Sequence, residues 1–200
     1  MRHEQEVIPK NSAVVRFTSL PDPMRGVRRN KETFSVDLLE DTHAGKKRWG
    51  LVFYGVKYTL LAYYRLGSKD PTSSSTLDAL GNFIAENGIP RMLITDSDGV
   101  LGAENKWKHF LGQKFTPHRL SEPDKHNKNP VKHAIHNLKT RCSKISNACG
   151  MGVLAYYYEM MEYLCDINNY VARASLNNHM PYEAFWGETP DISTILFKFW

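Results

Sequence analysis

Two aspartates sit where a carboxylate needs a physical reason. Asp37 lies inside the run TFSVDLLE (33–40), between Val36 and Leu38, and Asp96 closes the apolar run IPRMLITD (89–96). A lone ionised carboxylate withdrawn from water costs several kcal/mol. Held on neighbouring strands, the two could share a divalent cation, which binds through oxygen. Taken singly, each has a simpler alternative: a solvent-facing place at a sheet edge, or the cap of a turn.

A second concentration of chemistry lies downstream. Between Lys125 and Ala148 stand Lys125, Lys128, Lys132, Lys139, Arg141 and Lys144, with no Asp or Glu among them. These six positive charges exceed the net charge of the whole chain, +5. Such a run is often only a solvated face. Its functional reading is a surface for phosphate backbone, from which Lys and Arg displace counterions. His133 and His136 are three residues apart with Cys142 beyond, but zinc takes four ligands in tighter pairs and no partner pair is evident.

The elements that must hold these residues follow from pattern. TFSVDLLE, RWGLVFYG (48–55) and KYTLLAYYRL (57–66) read as strands, with Gly55 at a tight antiparallel hairpin between the last two. DPTSSSTLDALGNFIAENG (70–88) reads as a helix, capped within its Ser/Thr cluster and stopped by Gly88. Its inward residues are Leu77, Leu80, Phe83 and Ile84. IPRMLITD is a short buried strand, 104–113 a short helix and KFTPHRL (114–120) an edge strand. In the basic run Asn129 caps and Pro130 fits the first helical position. Val131, Ala134, Ile135, Leu138, Cys142 and Ile145 form one apolar stripe. Lys132 and Lys139, seven apart, share a flank of it. A last helix, about 151–172, buries Leu154, Tyr157, Tyr158, Met161, Leu164 and Cys165. The order, three strands, helix, strand, helix, strand, helix, helix, predicts an α/β fold with a mixed sheet flanked by helices.

Composition sets outer limits. At 200 residues, 42% hydrophobic and 24% charged, the chain suits one domain with a real core. Three cysteines without paired spacing point to a reducing, intracellular compartment. The N-terminal MRHEQEVIPKN has no apolar centre of the secretory kind, and no stretch suits a bilayer span.

Four pieces in this order, FSVDLLE, GIPRMLITDSDG, HRLSEPDKHNKNPVKHAIHNLK and NNHMPYEAFWGETPDIS, carry a resemblance to the catalytic core of retroviral-type integrases, closest to those of copia-type retrotransposons. It runs from about Phe34 to Trp200. The resemblance implies a ribonuclease-H-like mixed five-stranded sheet, with an irregular arm (1–33), a catalytic core (34–172) and a C-terminal extension of the core (173–200). It implies a site of two aspartates and a glutamate, the last two often separated by 35 residues. Asp37 and Asp96 match the first two. The third falls at Asn129-Pro130-Val131-Lys132, where the family reads roughly Asn-Pro-x-Glu, so the register holds and Lys132 stands at the glutamate's place.

The implied chemistry is polynucleotidyl transfer with two Mg²⁺ or Mn²⁺ ions about 3.5–4 Å apart. Asp37 would bridge both and Asp96 would hold one. An ammonium has donors and no lone pair, and a +1 charge about 4 Å from a +2 ion costs several kcal/mol even at an effective dielectric of about 20. The second ion should therefore bind poorly, and the expected activity is impaired. Asp98, Glu122 and Asp124 are the stand-in carboxylates in reach; after Asp124 none follows until Glu159. Lys125, Lys128, Lys132, Lys139 and Arg141 are the expected DNA contacts. The expected partners are element and target DNA in the nucleus and a second copy of the chain, with Tyr156, Tyr157 and Tyr158 as one meeting surface. Two alternatives stay open: a non-catalytic DNA-binding or assembly module on the same fold, and a ribonuclease-H-type nuclease.

Overall fold

The computed structural model describes residues 28–43, 46–96, 101, 105–121, 129–149 and 156–193. Five strands form one sheet: β1 (Thr33–His43), β2 (Lys46–Gly55), β3 (Leu61–Gly67), β4 (Met92–Thr95) and β5 (His118–Leu120). Their spatial order is β3-β2-β1-β4-β5. β1, β2 and β3 are antiparallel neighbours, while β4 runs parallel to β1 and β5 parallel to β4. The helices are α1 (Ser73–Asn87), α2 (Asn105–Gln113), α3 (Pro130–Cys149), α4 (Tyr157–Tyr170) and α5 (Pro181–Trp186). This is the expected α/β fold with a mixed five-stranded sheet, α1 making the crossover that a parallel β4 requires.

Alternation along β1 divides the molecule into two layers. Phe34 and Val36 enter a core shared with α1 and α2, which includes Leu51, Phe53, Leu80, Phe83 and Trp107. Leu39 enters the opposite core with Val52, Tyr63, Val131, Leu138, Met161 and Leu164, under α3 and α4. Side chains two apart share a face of a strand, so Ser35 and Asp37 belong to the layer of α3. Aromatic packing knits the first layer: the Phe53 and Phe83 rings stack at 4.0 Å, and Phe34 meets Phe83 edge-on at 4.8 Å. The buried Trp107 indole donates to Thr76 Oγ1 at 3.0 Å, joining α2 to α1.

Several boundaries differ from the pattern reading. β1 and β2 extend beyond their apolar stretches to His43 and from Lys46, carried by ladder pairing between exposed ends. β3 begins at Leu61 because Val56–Tyr58 form a turn, with Thr59 at φ 56°. That turn is gathered by Glu32, 1% exposed, whose carboxylate accepts from the backbone N–H groups of Thr33 (2.9 Å), Lys57 (3.0 Å) and Tyr58 (2.8 Å). β5 is confined to 118–120, since Lys114 and Phe115 form a turn with Phe115 at φ 52°. Thr72 caps α1, and Gly88 ends it at φ 84°. A Cβ at Gly88 would lie 2.3 Å from the Arg28 carbonyl oxygen, which accepts from Ile89 N–H. α5 occupies a stretch expected to hold only short turns, and its Phe185 rests edge-on against Phe34. The expected Leu154 lies outside the described residues, and Met160 is buried in addition to the inward set. No helix among the described residues is long and apolar enough to cross a membrane.

Two stability predictions follow from this packing. A Cβ at Gly50 would stand 2.1 Å from the Tyr63 ring, so Gly50→Ala should destabilise by about 2 kcal/mol or more, as overpacked cores do. Trimming the ring with Tyr63→Leu should relieve most of that loss, read as non-additivity in a urea double-mutant cycle. His118 Nε2 bonds Thr95 Oγ1 at 2.8 Å, and burial, aided by the Lys108 charge, lowers its pKa from the ordinary value near 6.5. The folded state then binds fewer protons than the unfolded one, so stability is full above about pH 6.5 and falls below it. His118→Gln should flatten that fall in thermal melts between pH 7 and 5.

Candidate functional site

The parallel ladder between β1 and β4 pairs Phe34 with Leu93, Ser35 with Ile94 and Val36 with Thr95. Asp37 and Asp96 are the next residue on each side. Two carboxylates expected from separate runs are thus brought to one point by strand register alone. Their charges act on each other, and both feel Lys132.

α3 delivers Lys132 to that point. Its start is fixed over β1 by Asn129, which is 7% exposed and whose Oδ1 accepts from Ser35 Oγ at 2.5 Å and from Val131 N–H at 3.3 Å. Ser35 is two residues before Asp37 and shares its face. The same strand face therefore carries the helix anchor and the carboxylate. Pro130 begins the helix, and Val131, Ala134, Leu138 and Cys142 press the expected stripe into the core. Lys132 then projects from the flank of that stripe, and its ammonium donates to Asp96 Oδ2 in an ion pair. The Asp96 side chain is only 13% exposed and that of Lys132 33%. Ser121 Oγ approaches the other Asp96 oxygen at 3.4 Å.

Asp37 Oδ1 accepts from Leu38 N–H at 2.9 Å. Its pKa nevertheless lies above the ordinary carboxylate value. Burial is the largest cause, and the negative charge of Asp96 adds to it. The Leu38 N–H and the Lys132 charge act in the opposite sense. A carboxyl held against its preferred charge state beside a second carboxylate is a mark of a functional site.

The other expected residues separate. Lys139 is partly buried, and its ammonium donates to the backbone carbonyl of Glu40 on β1. Arg141 is exposed on the far flank of α3. His133 and His136 are exposed, whereas Cys142 is buried against Met160, its Sγ 3.4 Å from the Met160 sulfur. Lys125, Lys128 and the stand-in carboxylates Asp98, Glu122 and Asp124 lie outside the described residues. Tyr157 is buried, Tyr158 partly so and Tyr156 exposed, with Arg48 stacked over the Tyr157 and Tyr158 rings and Arg65 over Tyr158.

Does this donor set fit two divalent ions? Asp37 and Asp96 offer suitable oxygens, but the third position supplies a donor with no lone pair, and that donor already engages Asp96. Among the described residues no cluster of three or more His, Cys, Asp or Glu could hold a metal. The described residues alone do not supply the three carboxylates of a two-ion cluster. The chemistry available is that of a carboxylate pair balanced by a tethered cation.

Removing that cation should uncover the repulsion. Lys132→Gln should destabilise the fold by about 1–3 kcal/mol, less than for a fully buried pair because one third of the ammonium side chain is exposed. The melting temperature of this variant should rise with millimolar Mg²⁺ or Mn²⁺, while that of the parent chain should not. Calorimetry with and without the ion checks both.

Comparison with known proteins bears on the scaffold. No family model matches the chain, and no curated protein does. Among solved structures, the HTLV-2 integrase catalytic core domain in complex with magnesium is similar in two forms. The trimeric form has a TM-score of 0.63 at 15% identity, and the dimeric form 0.63 at 12%; each match covers 80% of this chain and 99% of the other. The simian T-cell lymphotropic virus intasome, solved in complex with the PP2A regulatory subunit B56 gamma, matches with a TM-score of 0.67 at 16% identity. That match covers 84% of this chain and 58% of the other. At these identities the likeness is one of architecture: the chain has the ribonuclease-H-like fold of a retroviral integrase catalytic core.

Proposed function

We propose that this chain is an integrase-type core of the copia retrotransposon kind that holds DNA but is impaired in polynucleotidyl transfer. One observation carries the proposal: the Lys132 ammonium lies on Asp96, beside Asp37, on a fold shared with integrase cores. In this reading 34–172 is the catalytic core, 1–33 an arm and 173–200 an extension of the core. Asp37 and Asp96 are the surviving carboxylates of a Mg²⁺- or Mn²⁺-dependent site. Lys132 takes the place of a third ligand and turns the site from an ion holder into a neutralised patch beside a basic helix. Lys125, Lys128, Lys139 and Arg141, with Lys132, contact DNA phosphates without reading bases. The magnesium complexes and the dimeric and trimeric forms among the similar structures support a divalent-ion ancestry and a homo-oligomer. A protein acting on chromosomal DNA would work in the nucleus.

The test measures binding and turnover together. The parent chain should bind duplex DNA with an affinity that falls steeply with salt, and should join no DNA ends in Mg²⁺ or Mn²⁺. Lys132→Glu should raise strand transfer at least about tenfold above background in Mn²⁺. Binding without turnover in both chains would favour the assembly-module reading. Cleavage of RNA–DNA hybrid without joining would favour the nuclease. Absence of DNA binding altogether would remove the proposal.

A further inference from the structure

α3 has a second polar flank. Arg141 is nine residues from Lys132, so at 3.6 residues per turn the two project about 180° apart. Arg141 borders a cavity of about 110 Å³ between α3 and the end of α4 with the segment that follows it, together with Asn137, Asn168, Arg173 and Tyr54 over an apolar floor. Among the described residues no carboxylate lines it. The cavity is roomy enough for a few waters or one tetrahedral oxyanion.

Its polar groups are arranged rather than scattered. Arg173 is fixed by its backbone, its N–H donating to the His179 carbonyl at 3.1 Å and its own carbonyl accepting from Asn178 N–H at 2.9 Å. Its guanidinium donates to Asn168 Oδ1 at 2.5 Å. A guanidinium only donates, so this contact assigns the Asn168 oxygen as acceptor and leaves Nδ2 as the donor. That Nδ2 is buried, with no acceptor among the described residues. An unmet buried donor costs about 1–3 kcal/mol, and an anionic acceptor would remove the cost. Arg141 makes no ion pair or hydrogen bond among the described residues. Two guanidiniums on a cavity with no carboxylate lining among the described residues, beside a buried amide N–H that has no acceptor there, suit a phosphate group, which guanidinium binds in bidentate fashion.

We propose that Arg141, Arg173 and Asn168 form a phosphate site that takes one backbone phosphate of bound nucleic acid, on the flank of α3 away from the carboxylates. The nucleic-acid source rests on the proposed function; the phosphate site itself does not. Inorganic phosphate is titrated into the full 200-residue chain at constant ionic strength and followed by ³¹P and amide NMR. Saturable binding is expected, weakened at least tenfold by Arg141→Gln and by Asn168→Asp, which keeps the acceptor for Arg173 but replaces the donor. Equal phosphate binding by the parent and Arg141→Gln chains would overturn the site. In a parallel salt series with duplex DNA, Arg141→Gln should reduce the slope of log K against log [salt] by about 0.9, the share of one phosphate. Arg141-dependent phosphate binding with an unchanged slope would overturn the nucleic-acid assignment and leave a site for a free anion.

Discussion

Strand register puts two negative charges side by side, and the molecule is arranged around that fact. β1 and β4 pair in parallel up to Val36 and Thr95, which makes Asp37 and Asp96 neighbours at the end of the ladder. The ladder cannot move by one residue to separate them, since a slip would turn Phe34 and Val36 out of their core. Nor can water screen them well, because Asp96 is largely covered. A positive charge must therefore be supplied, and α3, locked in place through Ser35 and Asn129, supplies it from Lys132.

A side-chain ammonium and a divalent ion solve that problem differently. The ammonium is covalently held and always present, so the charge balance depends on no solute. It carries one charge rather than two and ligates nothing, so it cannot draw in the oxygens of a phosphodiester as a metal would. This makes the raised pKa of Asp37 informative, because burial and Asp96 still outweigh Lys132 there. The ion pair is centred on Asp96, and Asp37 remains the more poorly served of the two.

Much of the layering was legible in the sequence because it is written in local periodicity. The apolar stripe of α3 and the alternation of Phe34, Val36 and Leu39 each depend on residues a few positions apart, and Asp37 and Asp96 stood out as polar interruptions of apolar runs. Features fixed by distant partners were not legible. The start of β3 depends on a carboxylate 25 residues upstream of Lys57. The polar ends of β1 and β2 are strands because they pair with each other, not because they alternate. Asn169 gives no sequence sign that its amide would satisfy both the N–H and the carbonyl of Leu61, at 2.8 and 2.7 Å, on the outer edge of β3. At the site, the position of Lys132 came from family spacing, whereas its contact with Asp96 emerged only from the placement of α3. Arg173 and Asn168 offered no signal, since their meeting, five residues apart, depends on where α4 ends.

Glu32 has a consequence for where the folding unit starts. Resemblance begins near Phe34, yet this buried side chain two residues earlier collects three amides, one at the start of β1 and two in the β2–β3 turn, and so ties the chain's approach to that reversal. Arg29 reaches further still, its guanidinium donating to the Lys114 carbonyl while its backbone bridges to Ile89. A fragment cut at Phe34 would thus shed its own fastenings: the packed unit starts earlier at its amino end than the stretch in which the resemblance lies.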